Sequence, residues 1–147
     1  MTQFATKRTI DAPVDRVFET VAHIENFQQA IPHITNVEFL TESHTGVGTG
    51  FRETRLMRGR EATTELEVTE YEPNQRVRLV SDAGGTVWDT VFVVRPSGDG
   101  SELSMVMDAR PYKLMARIVN PVISRMITTA IEADLDAVKA YCEDDGA

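Results

Sequence analysis

Alternation dominates the middle of the chain. Between Phe51 and Arg110, apolar residues return at every second position in five runs, separated by Arg58-Gly59, Pro73-Asn74, Gly84-Gly85 and Ser97-Gly98-Asp99-Gly100. A period of two places one face of a strand in a core, and the separators are turn-forming residues. Connections this short predict antiparallel hairpins. Phe4–Ile10 and the segment around Val37 and Phe39 add two strands, for about seven in all. At both ends of the chain the period changes. Val14, Val17, Phe18, Val21 and Ala22 recur at helical spacing, with Asp11 placed as N-cap and Pro13 in the first turn. A second short helix over 24–30 stops ahead of Pro32, because the residue before a proline is pushed away from helix. Tyr112 to Glu143 then reads as one helix nearly 50 Å long, bent at Pro121. Leu114, Met115, Ile118, Val119, Val122, Met126, Ile127, Ile131, Leu135 and Val138 form its apolar stripe.

Turn positions set the strand registers, and registers set which side chains share a face. Closing each hairpin symmetrically pairs Phe51 with Leu66, Glu53 with Thr64, Val68 with Leu79, Leu79 with Thr90, Phe92 with Met105 and Thr90 with Met107. All these assignments agree on a single inner face, which also carries Val77, Trp88, Val94 and Leu103. The outer face holds Arg52, Glu65, Glu67, Arg76, Arg78, Asp89 and Asp108. A slip of one residue would turn those charges inward. The inner face is not wholly apolar, since Glu53, Arg55, Thr64, Ser81 and Thr90 share its parity. A charge buried there must be paired or neutralised, and Glu53 and Arg55 are near enough on one face to pair.

A sheet with one apolar face needs a cover, and the closing helix carries a matching stripe. The class is therefore α+β: two short helices after the first strand, then six strands, then a long C-terminal helix. The 147 residues suit a single domain spanning 1–147. The chain holds 15 Lys and Arg against 23 Asp and Glu, a net charge of −8. That acidity weighs against nucleic acid and anionic lipid surfaces as partners. No apolar run approaches a membrane span, so no stable membrane insertion is expected. The N-terminus has no apolar segment of the secretory kind, and a cytoplasmic location is expected.

Four stretches carry a resemblance to a known superfamily: TIDAPVDRVFETVAHIENFQQAIP, VGTGFRETR, REATTELEVTEYEPNQRVRLVS and LMARIVNPVISRMITTAIEADLDAVKAY. In these the chain resembles the START-like (SRPBCC) superfamily with the helix-grip fold, and within it the polyketide cyclase/dehydrase-type group. The resemblance implies a curved antiparallel sheet wrapped round the C-terminal helix, with a cavity between them for a hydrophobic or amphipathic small molecule. No catalytic motif is shared across the group, so none is carried over. Under this resemblance the expected ligand-binding residues from the sheet are Phe51, Glu53, Arg55, Leu66, Val68, Leu79, Trp88, Thr90, Phe92, Met105 and Met107. From the helix they are Leu114, Ile118, Val122 and Met126.

The remaining motifs subtract functions. His23, His33 and His44 show no paired metal spacing. Cys142 is the only cysteine and sits among Glu143, Asp144 and Asp145, whose charge disfavours a thiolate. Gly46-Val47-Gly48-Thr49-Gly50 precedes a strand, not a helix, so it is not a phosphate loop. Neither a metal nor a cofactor is implied. Three functions remain, in this order. The first is binding of a hydrophobic small molecule. The second is a polyketide cyclase/dehydratase-like enzyme, with Glu53 transferring protons, Arg55 as its charge partner and His33, expected near the cavity mouth, as a further candidate. The third is an interaction module that forms a homodimer through the outer-face strip of Val80, Val91, Val93 and Val106.

Overall fold

The computed structural model describes residues 2–57, 59–117 and 121–144. Its strands are β1 (Thr2–Ile10), β2 (Ile34–Phe39), β3 (Gly50–Met57), β4 (Arg60–Glu72), β5 (Arg76–Ala83), β6 (Thr86–Ser97) and β7 (Gly100–Pro111). Helices α1 (Val14–Ala22) and α2 (Ile24–Ala30) follow β1, and α3 (Pro121–Asp144) closes the chain. One antiparallel sheet runs in the order β1-β7-β6-β5-β4-β3-β2. The pairings expected from the turns are present: Phe51 faces Leu66 and Glu53 faces Thr64, Val68 faces Leu79, Thr90 faces both Leu79 and Met107, and Phe92 faces Met105. Between β4 and β5 the register shifts at Thr69, so that Tyr71 rather than Glu70 meets Val77. The Thr69 hydroxyl, at this bulge, is buried with no hydrogen-bond partner.

The sheet curls round the last helix, as two ion pairs show. Arg8 on β1 meets Asp136, and Arg55 on β3 meets Asp134. In sheet order those strands are five steps apart, about 24 Å if the sheet were flat. They nevertheless reach residues two apart on one helix, about 10 Å across. The core lies at the end of the helix where its last turns meet β1 and α1. Ile10, Val17, Leu103, Leu135 and Val138 are there fully shielded from solvent. Arg16 donates to the carbonyls of Tyr141 and Cys142, Lys139 to the carbonyl of Thr9, and the Asp11 amide to Glu143. Gly100 is required at this end, because a Cβ there would collide with the Ile10 carbonyl oxygen.

Two local expectations are corrected. Helix α1 begins at Val14 with Pro13 in the cap position, and Asp11 makes no side-chain cap. Its amide is engaged by Glu143 instead. The long helix does not start at Tyr112: Leu114–Arg117 is a short 3-10 turn, and α3 begins at Pro121. At 24 residues it is about 36 Å long. The expected bend at Pro121 falls at residues 118–120, outside the described residues. Ile118, Val119 and the Met115 side chain lie outside the described residues, as does Arg58. No helix among the described residues is long and apolar enough to cross a membrane.

Candidate functional site

Away from the packed end, the inner face of the sheet and α3 part to leave a cavity of about 300 Å³. The sheet supplies Phe51, Leu66, Leu79, Trp88, Thr90, Phe92, Met105 and Met107 to its wall. Each reaches it by the same parity, since strands present alternate residues to one side. Helix α3 contributes Ile127, Ala130, Ile131 and Asp134, which are spaced three and four apart. The two short helices form the rest, through Val21, Ala22, Ile24 and Phe27. Their part was missed in the sequence, although Ile24 and Phe27 stand three apart and mark an apolar edge of α2.

Four expected ligand contacts fall elsewhere. Leu114, Val122 and Met126 all project into solvent. Because the helix starts at Pro121, Leu114 belongs to the preceding turn. Val122 and Met126 are at least about 100° round α3 from Ile127 and Ile131, which face the cavity. Val68 shares the inner face but is buried in the core rather than open to the cavity. Ile118 lies outside the described residues.

One wall of the cavity carries a compact charge cluster. The Arg55 Nε donates to Glu53 Oε2 at 3.0 Å, and its Nη1 donates to Asp134 Oδ2 at 3.0 Å and Oδ1 at 3.2 Å. His33 Nε2 stands 3.4 Å from Arg55 Nη1 and 3.8 Å from Asp134 Oδ1. Glu53 and Asp134 are buried, whereas the His33 side chain is 40% exposed and is not part of the cavity lining. Burial disfavours the charged Arg55 guanidinium, but the attraction of Asp134 and then Glu53 outweighs it and holds the group above its ordinary value. The guanidinium also lies 6.0 Å from the centre of the Phe27 ring, at the edge of cation–π range. Two carboxylates share one guanidinium here, so the cluster is rich in acceptors.

Asp134 was not singled out in the sequence. Its signal was present: an acid at i+3 from Ile131 and i+7 from Ile127 sits inside the apolar stripe, where a carboxylate needs a partner. A second polar group is less well served. Ser81 is buried on the cavity wall between Leu66 and Trp88, and its hydroxyl has no hydrogen-bond partner. Trp88, by contrast, donates its indole N–H to the Ala83 carbonyl at 3.4 Å.

The other candidates lie apart from the cavity. His44 stacks on Phe39 at 3.7 Å. His23 lies 3.3 Å from both Thr45 Oγ1 and the Tyr71 hydroxyl. The Cys142 thiol is held above its ordinary value mainly by burial, with Glu143 a lesser contributor and Thr20 and Arg16 opposing. The effect on the thiol is the one expected from its acidic neighbours, but desolvation is the chief cause. On the outer face Val91 does oppose Val106. On the same face, the Arg78 and Arg110 guanidinia converge on Asp89. No group of three or more His, Cys, Asp or Glu among the described residues is arranged to hold a metal ion.

Comparisons with known proteins agree with this fold. The family model described as polyketide cyclase / dehydrase and lipid transport matches residues 1–143. Among solved structures, TTHA0849 from Thermus thermophilus superposes with a TM-score of 0.81 at 16% identity, covering 99% of this chain and 100% of that one. A START superfamily protein from Mycobacterium smegmatis gives 0.80 at 16% identity, covering 97% of each chain. The di-domain ARO/CYC protein BexL, from the BE-7585A biosynthetic pathway, gives 0.77 at 18% identity, covering 95% of this chain and 45% of BexL. No curated protein sequence matches.

Proposed function

The chain belongs to the polyketide cyclase / dehydrase and lipid transport family, and from that premise we propose that it binds an uncharged amphipathic small molecule between its sheet and α3. The observation that carries this reading is the cavity itself: about 300 Å³, walled mostly by aromatic and aliphatic side chains, with its polar groups few and localised. Ligand cavities commonly span about 300–1,000 Å³, so this one suits a few fused rings or a short hydrocarbon chain rather than a whole phospholipid. An anionic head group would meet Glu53 and Asp134, which already outnumber Arg55. A hydroxyl or carbonyl on the ligand would satisfy Ser81.

Trp88 is the sole tryptophan and stands in the cavity wall, so its emission reports occupancy. Titration with an uncharged naphthalene probe is expected to quench it. Ala130→Phe, which pushes a ring into the cavity from α3, is expected to weaken the probe by about tenfold or more, equivalent to about 1.4 kcal/mol. Unchanged Trp88 emission, together with no small molecule carried by the purified protein in native mass spectrometry, overturns the reading.

The Arg55 cluster favours a second reading, an enzyme of the cyclase or dehydratase kind. A carbonyl of a polyketide-like substrate would accept from Arg55, which stabilises negative charge developing on that oxygen. Glu53 would take the proton from the neighbouring carbon. Glu53→Gln is then expected to abolish turnover of such a substrate while leaving probe binding within about twofold, well under the tenfold step of about 1.4 kcal/mol. Turnover that survives the substitution removes this reading and leaves the binding reading intact.

A further inference from the structure

The charge of the chain is unevenly distributed. Residues 110–130 hold four bases, Arg110, Lys113, Arg117 and Arg125, and no acid. The same stretch is unusually apolar at the surface. Tyr112, Leu114, Val122, Ile123 and Met126 are 51%, 78%, 67%, 40% and 44% exposed. Leu56 and Met57, at the end of β3, add two more exposed apolar side chains.

These segments gather at one pole of the molecule. The β5–β6 turn is tied to the end of β7 by hydrogen bonds from the Tyr112 and Lys113 amides to the Gly85 carbonyl, and by the Tyr112 hydroxyl donating to Asp82. The β3–β4 hairpin turns at the same end of the sheet. The N-terminus of α3 lies there too, since its C-terminal turns are bonded to Thr9 and Asp11 at the other end. An open hollow of about 370 Å³ runs along Val122, Arg125 and Met126. Among the described residues, Arg60, Lys113 and Arg125 are exposed and take part in no ion pair, whereas Arg110 is held by Asp89. The acids in the two hairpins of this pole are Glu61 and Asp82, and Asp82 is engaged by Tyr112.

We propose that this pole is a docking face for an anionic lipid bilayer. Exposed apolar side chains flanked by unpaired bases match the two layers of a membrane surface: acyl chains at the level of the glycerol, and negative head groups above them. A protein partner of opposite charge would be matched to individual bases, whereas a bilayer needs only their sum and an apolar tip. The net charge of −8 opposes such docking only at long range, because salt screens it beyond about 8–10 Å. Arg55, on the cavity wall, and His33 beside it lie toward the same pole, so a docked molecule would turn that side of the cavity to the membrane. The docking face rests on exposure and charge alone and stands whether or not the cavity takes a ligand.

Sedimentation of the full chain with vesicles tests this. Binding is expected to phosphatidylcholine vesicles containing phosphatidylglycerol, and little or none to phosphatidylcholine alone. Raising NaCl from about 0.05 to about 0.5 M is expected to release the protein. The double variant Lys113→Glu/Arg125→Glu is expected to weaken partitioning by at least about tenfold, and Val122→Asp by a comparable factor. Arg95→Glu, near the opposite pole, is expected to leave it unchanged. Absence of binding to either vesicle at low salt overturns the proposal. Equal binding to both, unaffected by salt or by the double variant, overturns it as well. A dimer at working concentration that Val122→Asp converts to monomer overturns it in favour of a second copy of the chain. Loss of probe response at Trp88 without loss of vesicle binding would strike the cavity reading alone.

Discussion

The two ends of α3 show what decides whether the space between a helix and a sheet becomes core or cavity. At the C-terminal end, Leu135 and Val138 project from the helix and Ile10 and Leu103 from the sheet, and all four are fully buried. At the N-terminal end the helix offers Ala130, Asp134 and a half-buried Ile127, opposite Thr64, Ser81 and Thr90. The sheet and its hydrogen-bond ladder are the same at both ends. What differs is how far the helix side chains reach: Leu135 and Val138 meet the sheet at one end, while at the other Ala130 and Asp134 leave open a space walled by large sheet side chains such as Trp88 and Phe92. The charged side chains there are anchored, with Arg55 joining Glu53 on its own strand to Asp134 on the helix.

The largest expected effect tests that anchor. Arg55→Met leaves Glu53 and Asp134 buried and close together without a cation. Loss of one partner from a buried ion pair costs about 3–5 kcal/mol, which urea unfolding will register. Replacing all three, as Glu53→Gln/Arg55→Met/Asp134→Asn, is expected to recover most of it. If the single and triple variants are equally destabilised, the cluster is not the strut that holds the open end together.

At the closed end, Leu135→Ala is expected to cost about 2–5 kcal/mol, because a filled core keeps the void that truncation leaves. Ile127→Ala, about two turns earlier on the same stripe, is expected to cost about half as much or less, since it only enlarges existing space. Equal losses would erase the distinction between the two ends.

Much of this contrast was legible in the sequence. Short turns left one consistent register, so the inward parity of Glu53, Arg55, Trp88 and Phe92 followed from counting. The bulge at Thr69 did not, because nothing local distinguishes an inserted residue from its neighbours. The start of α3 was ambiguous, since proline is as natural at a first helical position as at a bend. Leu114, Val122 and Met126 were assigned inward on the rule that apolar side chains seek a core, and that rule holds in one direction only. His33 entered through family resemblance. Its approach to Asp134, which belongs to the opposite end of the chain, has no local signature.

A smaller effect separates the outer face from the cavity wall. The hydrogen bond from Arg78, followed by that from Arg110, holds the Asp89 carboxyl below its ordinary range against the opposing pull of burial. A depressed carboxylate contributes stability that is complete above its unfolded value of about 3.9 and is lost as pH falls through the folded value. Asp89→Asn is therefore expected to destabilise the protein at neutral pH and to flatten the acid limb of its stability profile below about pH 4. An acid limb as steep as in the parent would place the responsible carboxylate elsewhere.

The smallest expected change in stability is also the most telling for function. Ser81 hides a hydroxyl from water and gives it no partner. Removing an unsatisfied buried polar group is close to neutral or mildly stabilising, whereas removing one that is bonded costs about 1 kcal/mol. Ser81→Ala is thus expected to shift unfolding by less than about 0.5 kcal/mol in the empty protein. With a hydroxylated ring compound bound, the same substitution is expected to weaken binding by about fivefold, the contribution of one hydrogen bond. It should leave unchanged the affinity of the parent hydrocarbon ring, which offers Ser81 nothing. Fluorescence titration of both compounds against both proteins, with Trp88 as reporter, reads the comparison directly. If the two compounds lose affinity equally, Ser81 is only part of the wall, and the polar end of the ligand must be sought at Arg55.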